Sequence, residues 1–486
     1  MSGSLVAPIL SSDVDAWGRE VDLVVIGLGV AGACAALEAV ERGLEVLVIE
    51  RSSGGGGASA TSEGIFYLGG GTALQEACGY EDTPEQMYAF LRASTSCPDD
   101  ERLRVFCEGA SSHFDWLERH GVPFERRAFT GKAVAVRTGE GLLTTGNEKV
   151  WPFRDEALPV PRGHQARASL EVGGGASAMQ GLLAAVSADE VPVLFDTAVN
   201  GLVVGADGAI CGVQISSGGV AIDPVRARCG VVVASGSFNL NAEMTSRFIP
   251  AVARQGRPLG VDTNDGFGIA LGRSVGARTA AMDGVIATAS IYPPESLVFG
   301  IIVNANGERF VSEDSYHGRT AYFVERQPDQ RAYLVVDEEH FAYPERGHPL
   351  VDVWESVADA EQGLGLPTGS LDATLAAYND AAGRGDDPRF HKHAAWLAPL
   401  RGPLAAFDLS YAAGRYSYIT LGGLETDADA RVLHDNNDPI KGLYAAGAVA
   451  AHLPQNGAEY ASGLSLGPGS FFARRAVAHA AAKAAS

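Results

Sequence analysis

An α/β fold of more than one domain is what this sequence predicts, and three observations predict it. The 486 residues exceed what one hydrophobic core serves. A short β-branched apolar run, Val21–Ile26, leads through Gly27-Leu28-Gly29-Val30-Ala31-Gly32 into an alanine-rich segment reaching about Arg42. A second buried run, Val46–Ile49, follows Gly43 and ends on Glu50. Strand, helix and strand in so few residues read as one βαβ unit.

Later segments extend the pattern. Asp100 to His120 is helical by spacing, with Leu103, Phe106, Cys107, Ala110, Phe114 and Leu117 on one face. Ser177–Val186 reads as a helix; Val193–Phe195, Thr197–Val204, Ile210–Ile215 and Gly230–Ser235 read as strands. Residues 122–170 are rich in Gly, Pro and charge, and read as a long loop or small insertion over a site. Near residue 280 the pattern changes to short strands mixed with helices. After Thr420 it becomes glycine-rich again, with a strand at Leu443–Ala445 and a last helix from about Gly469. The expected organisation is therefore a nucleotide domain of residues 1–280 and 422–486, interrupted by a second domain, 281–421.

Composition narrows the function classes. Hydrophobic residues make up 46% of the chain, yet no apolar run approaches the ~20 residues that span a bilayer. The N-terminal stretch has no basic region before its short apolar run, so a signal peptide is not expected and a cytoplasmic setting is. A formal net charge of −22 repels phosphate backbones, which argues against nucleic-acid partners. The six cysteines form no CxxC pair and no metal-ligand cluster, and are expected as buried free thiols. The 60 glycines cluster at 54–57, 69–71 and 173–175, a placement that suggests backbone approaching a large ligand.

The glycine turn carries the first chemistry. Gly27 permits the tight turn, Gly29 admits a pyrophosphate to the backbone, and Gly32 lets the helix pack closely on the strand. The helix N-terminus favours phosphate charge, and Glu50, roughly 20 residues on, can accept hydrogen bonds from an adenosine ribose. This fingerprint alone does not choose between FAD and NAD.

The strings that follow do choose. Arg51-Ser52-Ser53 with GGGGASATSEG (54–64), ASGSF (234–238) and GLYAAG (442–447) resemble the succinate dehydrogenase and fumarate reductase flavoprotein superfamily. The resemblance spans most of the chain. It implies a Rossmann-like FAD-binding domain of the glutathione-reductase type with an inserted α+β catalytic domain. Members that attach FAD covalently use a histidine after the ribose-binding acid. Residues 51–72 contain none, so the FAD is expected to be non-covalent. The cofactor-binding residues it implies are Gly27, Gly29, Val30, Ala31, Gly32, Glu50, Arg51, Ser52, Gly57, Ala58, Ser59, Ser62, Gly64, Val199, Ala234, Gly236, Asp265, Gly447, Ser465 and Leu466.

Departures from the fumarate reductases narrow the substrate. Where their acidic residue follows GLYAAG, this chain has Ala448, and their substrate arginine is replaced by Tyr460-Ala461-Ser462-Gly463. In GERFVSEDSYHGR (307–319), Glu313-Asp314 is followed by Tyr316, with Arg319 displaced. A dianion without a cationic clamp would be badly unsatisfied. Together with GIFYLGGGTALQEACGY (64–80), APLRGPLAAFDL (398–409), TLGGL (420–424) and EYASGLSLGPGSFFARRA (459–476), these strings resemble the 3-ketosteroid dehydrogenases. The similarity is greatest to the branch that forms 4-ene products. The 1-ene branch has a Tyr-Pro-Gly-Pro-Gly string that is absent here. The family has two glycines before its YASG; this chain has Ala458 and Glu459.

That resemblance implies removal of a proton from carbon 4 of a 3-keto-5α-steroid and of a hydride from carbon 5 to FAD. It gives Tyr460 as base, assisted by Ser462 and Tyr316 as a hydroxyl relay, with amides near Gly463 and Leu464 stabilising the ketone oxygen. The final helix, starting near Gly467-Pro468-Gly469, would stabilise charge on the reduced flavin. Phe66, Tyr67, His164, Tyr416 and Tyr418 are further candidates for the pocket wall. His452 does not convincingly replace the missing arginine. No metal is expected; the electron acceptor is open, with a quinone one option. The alternatives are a 1-ene dehydrogenase, a fumarate-reductase-like enoate reductase, or a flavoprotein that only binds or carries electrons.

Overall fold

The computed structural model describes residues 7–288 and 290–484. The strand Arg19–Ile26 alternates: Leu23 and Val25 face one apolar layer, Val24 and Ile26 the other. It pairs in parallel with Val46–Ile49 on one side and with the C-terminal half of Val220–Val233 on the other. That long strand also pairs in parallel with Pro439–Ala445, which brings the chain's last part back to its first. Its N-terminal half runs antiparallel to Ile210–Ser217, itself antiparallel to Thr197–Val204. Nine strands make this sheet among the described residues.

Small residues let helices lie close on it. Val30–Glu41 is almost wholly buried, and packs with Gly174–Ala188 and with Leu466–Ala484, whose Ala473, Ala476, Val477 and Ala480 share its core. The amphipathic Asp100–Arg119 covers the same layer.

The region after 280 builds a four-stranded antiparallel sheet in the order Ile301–Asn304, Ala332–Asp337, Leu404–Asp408, Leu350–Trp354. Alternation divides it: Ile302, Leu334, Val336 and Phe407 face one core, Ile301, Val303, Val335 and Ala406 a second under helices Val357–Leu364 and Ser370–Ala382. On either side of this region in sequence, Thr279–Ala280 pairs antiparallel with Gly423–Leu424.

Several sequence expectations change. Residues 122–170 are not an open loop. Leu142–Leu143 and Gly163–Gln165 join Ile65–Tyr67 in a small sheet, and a short helix, Phe153–Glu156, lies between them in sequence. The strand read as Gly230–Ser235 begins ten residues earlier, at Val220, because its exposed first half shows no apolar run. The last helix starts at Leu466. Only Cys34, Cys97 and Cys107 are fully buried; Cys78, Cys211 and Cys229 are half-buried, and all six are free. Among the described residues no helix is long and apolar enough to cross a membrane.

Candidate active site

The fingerprint turn is built by steric necessity. Gly27 has φ +100°, and a Cβ there would sit 2.6 Å from the Ala234 carbonyl oxygen; one on Gly32 would sit 1.9 Å from the Gly27 oxygen. The Leu28 and Ser52 amides each donate to the Glu50 carboxylate at 2.8 Å. Each carboxylate oxygen keeps a second lone pair for a ribose hydroxyl. The Val30 amide donates to Ser59 Oγ at 3.1 Å, tying the helix start to the 57–64 loop.

One cavity of about 560 Å³ runs from this turn to the C-terminal tyrosine. Gly27, Gly29, Val30, Ala31, Glu50, Arg51, Gly57, Ala58, Ser59, Ser62, Gly64, Val199, Ala234, Gly236, Gly447, Ser465 and Leu466 all line it. So do Tyr316, Tyr460, Ser462 and Gly463. Gly32, Ser52, Asp265 and Leu464 do not. Gly32 is spent on helix packing and Ser52 on Glu50. Asp265 accepts from Arg51 Nη1 at 2.8 Å, and so acts on the cavity only by holding that arginine.

The far end of the cavity carries a set of buried hydroxyls. The Tyr316 and Tyr460 rings lie 6.5 Å apart. Tyr460 Oη is 2.9 Å from Ser465 Oγ, and Tyr316 Oη is 2.9 Å from Ser462 Oγ. The expected relay of Ser462 and Tyr316 onto Tyr460 is thus two separate pairs, with Ser465 the partner of Tyr460. Burial raises both phenols, Tyr460 to about 12 and Tyr316 well above the ordinary tyrosine value. The Leu464 amide is consumed by the Ala461 carbonyl at 3.1 Å in the turn that gives Gly463 φ +104°. Among the described residues the Gly463 amide makes no hydrogen bond, so one of the two expected amides is left for a ligand oxygen.

The 122–170 segment braces these groups from behind. The Thr145 carbonyl accepts the Ser462 amide at 2.9 Å, and Asn147 Oδ1 accepts the Tyr316 amide at 2.9 Å. Glu459, where the family has glycine, accepts from Ser96, Gln455 and Asn456 and fixes the turn leading to Tyr460.

Sequence reasoning missed His452 and His317 as cavity-lining residues. His452 Nε2 lies 3.1 Å from Ser465 Oγ, and its position five residues after Gly447, an expected flavin contact, was a weak signal for it. His317 follows Tyr316 directly and packs against its ring at 4.0 Å. Burial depresses His452 to about 4 and His317 to about 3, so both rings are neutral at neutral pH. Phe66, Tyr67, His164, Tyr416 and Tyr418 are core, not cavity wall: His164 bonds Thr72 at 2.7 Å and Tyr416 bonds the Leu409 carbonyl at 2.5 Å. Arg319 lies outside, against the Phe153 and Phe323 rings. Of the arginines that do line the cavity, Arg51 is held by Asp265, Arg346 is paired with Glu63, and Arg257 is exposed. None is a buried clamp for a dicarboxylate.

A strand–glycine turn–helix with a carboxylate on the next strand, opening into a cavity that ends on ionisable side chains, defines a dinucleotide-dependent redox protein. The family described as FAD binding domain matches residues 22–466, and the chain belongs to that family. FAD is its cofactor, and the cavity offers what FAD needs: the glycine approach, the helix N-terminus, and Glu50 with lone pairs to spare. The chain is similar over 98% of its length to a structure of 3-ketosteroid-Δ4-(5α)-dehydrogenase from Rhodococcus jostii RHA1 in complex with 4-androstene-3,17-dione. It covers all of that chain at 38% identity, with a TM-score of 0.91. It is 27% identical to 3-oxo-5-alpha-steroid 4-dehydrogenase of Comamonas testosteroni, over 91% of this chain and 95% of that protein. It is also 27% identical to NADH:fumarate oxidoreductase of Klebsiella pneumoniae (strain 342), over 90% of this chain but only 45% of that longer protein.

Proposed function

We propose that this chain is an FAD-dependent dehydrogenase of 3-keto-5α-steroids that forms 4-ene-3-ketosteroids. The observation that carries this is the meeting, in one cavity, of the FAD-binding turn with two buried tyrosines and no buried arginine clamp. A flat ketone suits such a wall; a dicarboxylate does not.

The chain's own residues divide the work. The Gly463 amide donates to the ketone oxygen and so acidifies the hydrogens on carbon 4. Tyr460 Oη takes one of them as a proton. The Tyr316–Ser462 pair walls the same space and presents hydroxyls to the steroid. The 27–32 turn, Glu50 and the 57–64 loop would hold FAD non-covalently, and FAD bound there would supply the hydride-accepting chemistry for carbon 5. The amides at the start of the Leu466–Ala484 helix would favour negative charge on a group bound beside them.

In the same reading, residues 1–280 and 422–486 are a glutathione-reductase-type FAD domain and 281–421 an inserted catalytic domain. The Thr279–Ala280 and Gly423–Leu424 pair forms the neck. Electrons leave to an acceptor outside this chain, for which we propose a quinone, and six free thiols suit a cytoplasmic setting. Reoxidation by a soluble quinone, and recovery in the cytoplasmic fraction, check these two points.

The deciding experiment mixes the yellow holoprotein anaerobically with 5α-androstane-3,17-dione. Bleaching with a 4-ene-3-one product is expected. A 1-ene product would move the chain to the other branch of the steroid enzymes. No bleaching with any steroid, but oxidation of dye-reduced protein by fumarate, would overturn the steroid reading.

A further inference from the structure

The hydrogen bonds at Tyr460 have a direction, and a histidine sets it. His452 Nδ1 lies 3.0 Å from the Leu421 carbonyl oxygen. A carbonyl only accepts, so Nδ1 carries the hydrogen. Burial keeps the ring neutral, which leaves Nε2 as a bare lone pair. Ser465 Oγ, 3.1 Å from Nε2, must therefore donate to it. A serine has one hydrogen, so towards Tyr460, 2.9 Å away, Ser465 can only accept. The chain runs Tyr460 to Ser465 to His452 to the Leu421 carbonyl; the Ser465 amide also donates toward Tyr460 Oη, and the remaining lone pair of that oxygen is left for a proton from the cavity.

This arrangement answers a difficulty in the base. A buried phenol that titrates near 12 is scarcely ionised at neutral pH, so it can take a proton only by giving one up. The hydroxyl pair of Tyr316 and Ser462 is separate and offers no nitrogen lone pair. We propose that His452 is a positioning residue that acts through Ser465, orienting Tyr460 and receiving the proton that Tyr460 displaces; this rests on the reading of Tyr460 as the base. In that step the bond from carbon 4 to hydrogen breaks and its proton bonds to Tyr460 Oη. The Tyr460 hydrogen passes to Ser465 Oγ, and the Ser465 hydrogen to His452 Nε2. Each hydroxyl keeps one hydrogen. The electron pair left on carbon 4 becomes the new double bond as the hydride leaves carbon 5 for FAD. Arg102, whose charge acts on His452, disfavours a lasting imidazolium, so the proton moves on before the next cycle.

The test uses the holoprotein carrying ¹⁵N-labelled histidine, with variants Ser465→Ala and His452→Gln. The nitrogen spectrum should show a neutral His452 with hydrogen on Nδ1, and its Nε2 resonance should shift in Ser465→Ala. Hydrogen on Nε2 instead overturns the proposal, and this readout needs no turnover. In His452→Gln an amide oxygen can still orient Ser465, but nothing on the side chain can take the proton. Steroid-driven bleaching should then slow on the order of 10²-fold, with steroid affinity and FAD absorbance retained. Ser465→Ala should slow it comparably, and the double variant no further. Wild-type bleaching rates in His452→Gln overturn the proposal. Failure of the unaltered protein to bleach with any steroid counts against the functional reading, and leaves the nitrogen spectrum to decide the chain's direction.

Discussion

Tyr460 is a buried phenol held by one serine, and its hydroxyl is the only part of it that chemistry can use. Tyr460→Phe keeps the ring that packs beside Tyr316 and removes that hydroxyl. Flavin reduction by a 3-keto-5α-steroid should fall by about 10²–10⁴-fold, while FAD content and steroid binding stay near normal. Stopped-flow bleaching with a parallel binding titration checks both; an unchanged bleaching rate removes Tyr460 from the role of base. That Tyr460, Ser462 and Tyr316 line the cavity was legible in the sequence, because each sits in a short string whose neighbours mark it. The Ser465–His452 contact was not. It joins residues that follow different turns, and only the helix starting at Leu466 and the return of the 447–453 segment bring them together. The Leu464 amide was misassigned for a related reason: a turn spends amides internally, and which one it spends depends on where the left-handed residue falls. Here that residue is Gly463.

Among elements, the strand–turn–helix that holds FAD was the most legible. All its determinants are local, and the bounds of Val46–Ile49 and Thr197–Val204 read directly from apolar runs. Its weakest point sterically is Gly32, where a Cβ would meet backbone rather than a side chain able to move. Gly32→Ala should therefore push the helix off the strand, destabilise the protein by about 1–3 kcal/mol and lower its FAD content. Denaturant unfolding and the visible flavin spectrum measure the two effects, and an alanine variant that binds FAD normally would refute the packing argument. The glycine clusters show the limit of such reading. Of 54–57 only Gly57 lines the cavity, and none of 69–71 or 173–175 does. A Cβ on Gly64 would lie 2.1 Å from the Gly174 backbone, so the third cluster exists to let one backbone lie on another, not to admit a ligand. The 122–170 segment escaped because its strands are two or three residues long and find their partner at Ile65–Tyr67, far away in sequence.

For the whole molecule, the change of pattern near 280 and 422 falls where Thr279–Ala280 pairs with Gly423–Leu424, and the division into two domains there is our proposal. Which earlier residues join the cores of the later sheet could not be read from the sequence: Ile249 and Val252, from before 280, pack with Ile302, Leu334, Val336 and Phe407. Assembling several cores around one cavity also buries imidazoles in number. Burial depresses His164, His348 and His452 to about 4 and His317 to about 3, and drives His113 well below the ordinary value. Unfolded, each returns to about 6.5 and binds a proton that the folded state refuses. Between pH 6.5 and 4 the unfolded chain therefore holds more protons, so stability is fully present above pH 6.5 and is lost as pH falls through that window. Glu148 opposes this, because its burial raises it and favours the folded state as it protonates. Glu313 and Asp387, lowered in spite of burial by the Arg309 guanidinium, add their loss only below about pH 4.5. The thermal midpoint of the holoprotein should fall steadily from pH 6.5 to 4.5, before those carboxylates contribute. Replacing His164, which lies in the core away from the cavity, with Gln should flatten part of the slope without altering steroid turnover. A midpoint that stays level to pH 4.5 would mean that these rings are not held neutral, and would undercut the neutral His452 on which the direction of the Tyr460 chain depends.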